Sequence, residues 1–190
     1  MSDAPDAVAV WIDEVRLECR RYKAWAELAL AQVDDAAFFR TLEAGGNSVA
    51  HVLKHVAGNL RSRWTDFYDG DGEKPDRFRD REFEIEPGDT RATLMAGWER
   101  GWAGLFAILD PMTPADAART VVIRGEPHTV PRALMRNLAH TAQHVGQIIL
   151  LAKHLRGDTW KTISIPRGQS EQFNAVMREQ FTREAGTGRS

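Results

Sequence analysis

Apolar residues recur at helical spacing in four long stretches of this 190-residue chain. Val8, Trp11, Val15, Cys19, Tyr22, Ala26 and Ala29 stand three and four positions apart with charged residues between them, the period that lines one face of a helix. After a break at Glu43–Gly46, Asn47 or Ser48 can cap a second helix whose stripe runs Val49, Val52, Leu53, Val56, Leu60, Trp64 and Phe67. Thr90 opens a third through Leu94, Trp98, Trp102, Leu105 and Leu109, with Pro111 and Pro114 ending it. The fourth begins near Pro131, a residue suited to a first helical turn. It runs through Leu134, Leu138, Val145, Ile148, Ile149, Ala152 and Leu155 to Gly157.

Between the second and third helices, residues 69–89 are rich in glycine, proline and charge and read as a long connection, a length that in compact domains is often functional. Val121-Val122-Ile123, then Arg124-Gly125-Glu126-Pro127, then His128-Thr129-Val130 predict a small β-hairpin before the fourth helix. A short helix follows Ser170. The pattern predicts an all-α four-helix bundle. It forms one domain over residues 1–190, the tail 157–190 packing on it or extending from it.

Composition narrows the function classes. A net charge of −2, from 25 Lys+Arg against 27 Asp+Glu, offers no basic surplus for nucleic acid or an anionic membrane. The single cysteine, Cys19, excludes an intrachain disulfide and a cysteine-cluster metal site. It falls in the first apolar stripe and is expected to be buried and inert. The N-terminal residues carry acids rather than a basic secretory leader, and no apolar run approaches the ~18 residues of a membrane span. The expectation is a cytoplasmic protein.

The chemistry lies in the six histidines. His140 and His144 are spaced i, i+4, so their rings leave one helix face a turn apart, the spacing with which a helix supplies two imidazoles to one metal. They sit to one side of the main apolar stripe, on a face continuing into Leu151 and Leu155. Buried histidines at a helix seam must satisfy their nitrogens, and either a metal or neighbouring hydrogen bonds can do so. The second helix offers His51 or His55 as a third ligand. His55 lies near the centre of the stripe and is preferred, whereas His51 points almost opposite and reads as surface or rim. His128 and His154 read as exposed polar residues.

The segments SVAHVLKHVAGNLRSRWTDFYDGDGEKPDRFRD, GEPHTVPRALMRNLAHTAQHVGQI and WKTISIPRGQSEQFN resemble the DinB/YfiT-like superfamily of metal-dependent proteins, within it a branch of uncharacterised bacterial proteins. The likeness runs from about residue 8 to about residue 180. It is strongest at His55-Val56-Ala57-Gly58-Asn59 and at His140, His144, Val145, Gly146 and Gln147. The resemblance implies an up-down-down-up bundle, a homodimer, and a divalent metal on one histidine of the second helix and the HxxxH pair of the fourth, here His55, His140 and His144. Some members of similar fold are thiol transferases or isomerases that use a low-molecular-weight thiol such as mycothiol or bacillithiol. The SIPRGQSEQFN block belongs to the branch alone, so distant members' activities transfer poorly.

Three imidazoles leave an ion with open positions, the arrangement of catalytic sites. Zinc ranks first and nickel second, imidazole being unselective between them. Asn59, one turn after His55, should face the same cleft. Arg63, a further turn on, is a candidate for an anionic group of a substrate or thiol cofactor, or else pairs with Asp66 or the 69–89 loop. Trp64 is a second candidate lining residue, and Gln147 a candidate to brace His144. The reaction expected is small-thiol S-transfer or metal-dependent hydrolysis of a small molecule. The alternative is a non-catalytic dimeric metal-binding or stress-response bundle. Trp11, Trp25, Trp98 and Trp102, more large aromatics than a small bundle readily covers, also point to a dimer.

Overall fold

The computed structural model of the chain describes residues 6–187. These divide after Asp158 into two compact units. The protein is mostly helical, with seven α-helices and one two-stranded antiparallel hairpin among the described residues. In the first unit α1 spans Ala7–Leu30, α2 Asp35–Phe39, α3 Val49–Trp64, α4 Arg91–Leu109, α5 Pro114–Ala117 and α6 Val130–Arg156. The hairpin, β1 Thr120–Ile123 and β2 Glu126–Thr129, precedes α6. The second unit holds α7, Ser170–Thr187, whose Phe173, Val176 and Phe181 are exposed. No helix is long and apolar enough to cross a membrane among the described residues.

The long helices begin where the sequence offers a cap. Ser48 is the N-cap of α3, its hydroxyl accepting from the His51 amide while the His51 ring reaches back to the Ser48 backbone, a reciprocal pair that satisfies two end donors at once. Thr90 and Thr93 close α4 in the same way. α3 packs along α4 and also against α6, and α1 packs along α6. Gly101 lets α3 and α4 approach closely: a Cβ there would sit 3.0 Å from Leu60 Cβ and 3.2 Å from the Ala57 carbonyl.

Several local expectations need correction. The inward row of α1 is Ile12, Val15, Cys19, Ala26, Ala29 and Leu30; Val8, in the first turn, lies beyond the core and is exposed. Pro114 does not end a helix but opens α5, with Thr113 as cap. The hairpin turn is only Arg124-Gly125, both at positive φ (56° and 74°), the two-residue geometry that matches strand twist. His128, expected exposed, is 1 % exposed: β2 pairs it with Val121, so strand alternation turns both toward the interior. Trp98 and Trp102 are likewise fully buried, in edge-to-face contact at 5.5 Å. They are core of this chain, and the aromatic surplus shrinks to Trp11 and Trp25, each half-buried.

Candidate metal centre

His55 projects from the middle of α3, and His140 and His144 from successive turns of α6. Their ring nitrogens converge, one atom from each lying within 4.8 Å of the others. His55 Nε2 and His140 Nε2 are 3.1 Å apart. Two imidazole nitrogens bound to one tetrahedral zinc at ~2.0–2.1 Å stand about 3.3 Å apart, so this pair already has nearly the separation a shared ion requires. The three histidines form the cluster of potential ligands among the described residues, and the cluster could bind a metal ion.

The hydrogen bonds on the far sides of the rings decide which nitrogens face inward. His55 Nδ1 donates to Glu82 Oε2 at 2.8 Å, which leaves the Nε2 lone pair directed at the cluster. His144 Nδ1 does the same to Gln147 Oε1 at 2.9 Å. Such outer partners fix ring tautomer and orientation in metal sites. His140 Nδ1 is buried without a partner among the described residues. The charge state is also suitable. Burial, then repulsion from His144, His55, Arg77 and Arg63, pushes the His140 imidazole down to about 4. Burial also lowers His144, against the opposing pull of Gln147. Both are therefore neutral at pH 7, as ligands must be.

Glu82 was not visible in the sequence as a site residue. It lies in a 3-10 turn, Arg79–Phe83, inside the long 69–89 connection. Arg77 grips it through Nε to Oε1 at 2.8 Å and Nη2 to Oε2 at 3.0 Å, and both side chains are buried. Burial alone would raise Glu82, but the His55 and Arg77 hydrogen bonds and the Arg77 charge hold it below the ordinary carboxylate range. Phe83 of the same turn stacks on His55 with centroids 4.8 Å apart. The approach requires glycine at position 58, because a Cβ there would collide with Glu82 Oε1 and come within 2.8 Å of its Cδ. The glycine of the His55–Asn59 motif thus makes room for the carboxylate that orients His55. A carboxylate in a Gly/Pro/charge-rich loop carries no periodic signal, so only the tertiary pairing singles it out.

A cavity of about 400 Å³ opens over the cluster, lined by all three histidines and by Asn59, Arg63 and Trp64. Asn59 accepts a long hydrogen bond from Asn137 at 3.4 Å. Arg63 is held by the loop rather than by Asp66: its Nη1 donates to the Gly72 carbonyl and to Glu73 Oε2, the latter at 3.0 Å. Trp64 is 3 % exposed and packs on Phe67 at 4.7 Å, forming a wall. His51 is engaged in the α3 cap and stands apart from the cluster. His154 is exposed. Cys19 is buried in the α1 row and its thiol is pushed up to about 12, chiefly by burial, which leaves no nucleophile there.

Fold and site together define a helical protein with a three-histidine cluster under an open cleft. The chain matches the DUF1572 family, described as a protein of unknown function, over residues 6–169, and it belongs to that family. No curated protein matches the sequence.

Proposed function

We propose that this protein is a divalent-metal enzyme acting on small molecules, with His55, His140 and His144 as the metal ligands, zinc ranking before nickel. The observation that carries the reading is the position of the cavity: it lies directly on the three histidines, so the cluster is not sealed by further side chains. A bound ion supplies Lewis acidity, which acidifies a thiol or a water and polarises a carbonyl. The chain's own part is to hold three imidazoles, with Glu82 and Gln147 aiming two of them. Asn59 and Asn137 offer amide groups beside the cluster for orienting a substrate, and Trp64 and Phe83 limit access of water. Small-thiol S-transfer and hydrolysis both fit this equipment.

The four long helices are proposed to form the DinB/YfiT-like up-down-down-up bundle. The packing of α1 on α6 and of α3 on both α4 and α6 supports it. A cytoplasmic homodimer is proposed with it, supported by exposed Leu17 and Leu28 beside half-buried Trp11 and Trp25 on α1. The test is metal content of purified protein by mass spectrometry. His55→Ala, His140→Ala and His144→Ala should each lose stoichiometric metal while His51→Ala retains it. Loss in His51→Ala with retention in His55→Ala would refute the ligand set.

A further inference from the structure

The cavity over the histidines is lined by five arginines, Arg63, Arg77, Arg79, Arg124 and Arg136, and by no aspartate or glutamate among the described residues. Carboxylates stand behind its wall. Glu73 pairs with Arg63, Arg124 and, more loosely, Arg77, at 3.0, 3.0 and 3.4 Å. Glu82 pairs with Arg77 and His55. Asp71, held by the Arg124 and Gly125 amides, acts on Arg63 as well, so Arg63, Arg77 and Arg124 face three carboxylates and the unmatched charge of the lining is that of Arg79 and Arg136. Among the described residues Arg79 pairs with Asp80 alone, at 3.8 Å, with both side chains exposed, and it lies 5.3 Å over the Phe83 ring. Arg136 has no ion-pair partner among the described residues. In a protein of net charge −2 this concentration of cations on one cleft is local and opposite in sign to the whole.

The helices set where these charges lie. Arg136, His140 and His144 follow one another at four-residue steps on α6, and so do His55, Asn59 and Arg63 on α3. Residues so spaced share a helix face. Because His55 meets His140 while Asn59 meets Asn137, the two rows run antiparallel. Both rows therefore begin at the histidines and end at arginine, Arg136 about 6 Å along the helix from His140 and Arg63 about 12 Å from His55 at ~1.5 Å per residue. We infer that the cleft takes a small organic oxyanion, its carboxylate or phosphate held by Arg136 with Arg79 at the rim and its reacting end over the histidines. Arg63 and Arg77, already tied to Glu73 and Glu82, shape the field and do not need to leave their partners.

This inference rests on the metal-enzyme reading for where the reacting end lies, but its test does not. Calorimetric titration of the protein, metal-free and zinc-loaded, would use succinate, glycerol 3-phosphate and neutral succinamide as probes, with metal content measured in parallel. One or both anions should bind the metal-free protein and succinamide should not. The anion that binds identifies the headgroup chemistry. In Arg79→Ala/Arg136→Ala, affinity should fall by about tenfold or more, as loss of charge-assisted hydrogen bonds dictates, with zinc stoichiometry unchanged. Equal binding of succinate and succinamide, binding of no probe, or unchanged anion affinity in the double variant would overturn the inference. The fate of zinc in the histidine variants decides the metal reading separately.

Discussion

The two sides of the histidine cluster are built differently. On α3, His55 is buried, stacked on Phe83, and tied through Glu82 to a buried arginine. On α6, His140 and His144 are half-buried and, among the described residues, have only Gln147 between them as a bracing partner. One arm is fixed by a charged relay that reaches into the loop, and the other by helix spacing with one neutral hydrogen bond. Spacing is enough on α6 because i, i+4 places two rings together without further help. A single ring on a facing helix has no such neighbour and needs an outside group to set its rotation, which explains why the loop between α3 and α4 is long and reaches back.

Removing the α3 brace should cost most. Glu82→Ala leaves Arg77 buried without its main partner and should destabilise the fold by about 3–5 kcal/mol. It should also weaken metal affinity by about 10–100-fold, as loss of an outer-shell partner does. Denaturant unfolding and competitive chelation would measure the two, and metal affinity unchanged in the folded fraction would show that His55 needs no brace. A sharper version leaves both charges in place. Gly58→Ala improves helix propensity by about 1 kcal/mol in an unhindered helix, yet its Cβ displaces Glu82 from His55. Chelator competition should show zinc binding weakened by about tenfold, part of the same outer-shell range. A variant that is more stable and binds zinc normally would break the steric link. The smallest effect belongs to α6. Gln147→Ala should reduce zinc affinity only a few-fold, because an exposed neutral hydrogen bond contributes about 0.5–1.5 kcal/mol. An effect equal to that of Glu82→Ala would erase the distinction between the arms.

The same contrast shows what the sequence could and could not reveal. The long helices and the pairing of His140 with His144 were legible, because helical period converts directly into which side chains share a face, whereas the joining of His55 to that pair was implied by the family resemblance. Periodicity also separated His55 from His51. It failed for α2 and α5, five and four residues long, which are shorter than two helical turns. It failed at His128, where the inward direction is set by strand register with Val121. It gave no access to Glu82 or Arg77, whose roles come from a loop folding back over α3. Of the arginine lining only Arg63 was singled out, because its five members come from α3, the connection, the hairpin turn and α6, and net charge averages them away.

That dispersion along the chain has a consequence for folding order. The His55–Glu82 bond closes 27 residues and the His55–His140 approach closes 85. The chain must pay loop-closure entropy for both before the cluster exists, so the three nitrogens come together late, after α3 and α6 have docked. An unfolded or half-folded chain offers at most the local His140–His144 pair. A ligand that needs the whole cluster therefore binds the native state alone and stabilises it by about 2.7 kcal/mol at a hundredfold excess over its Kd. Zinc would then act as a sensor of completed folding, and the rise in thermal midpoint on adding it would measure how fully the most distant parts of the chain have found one another.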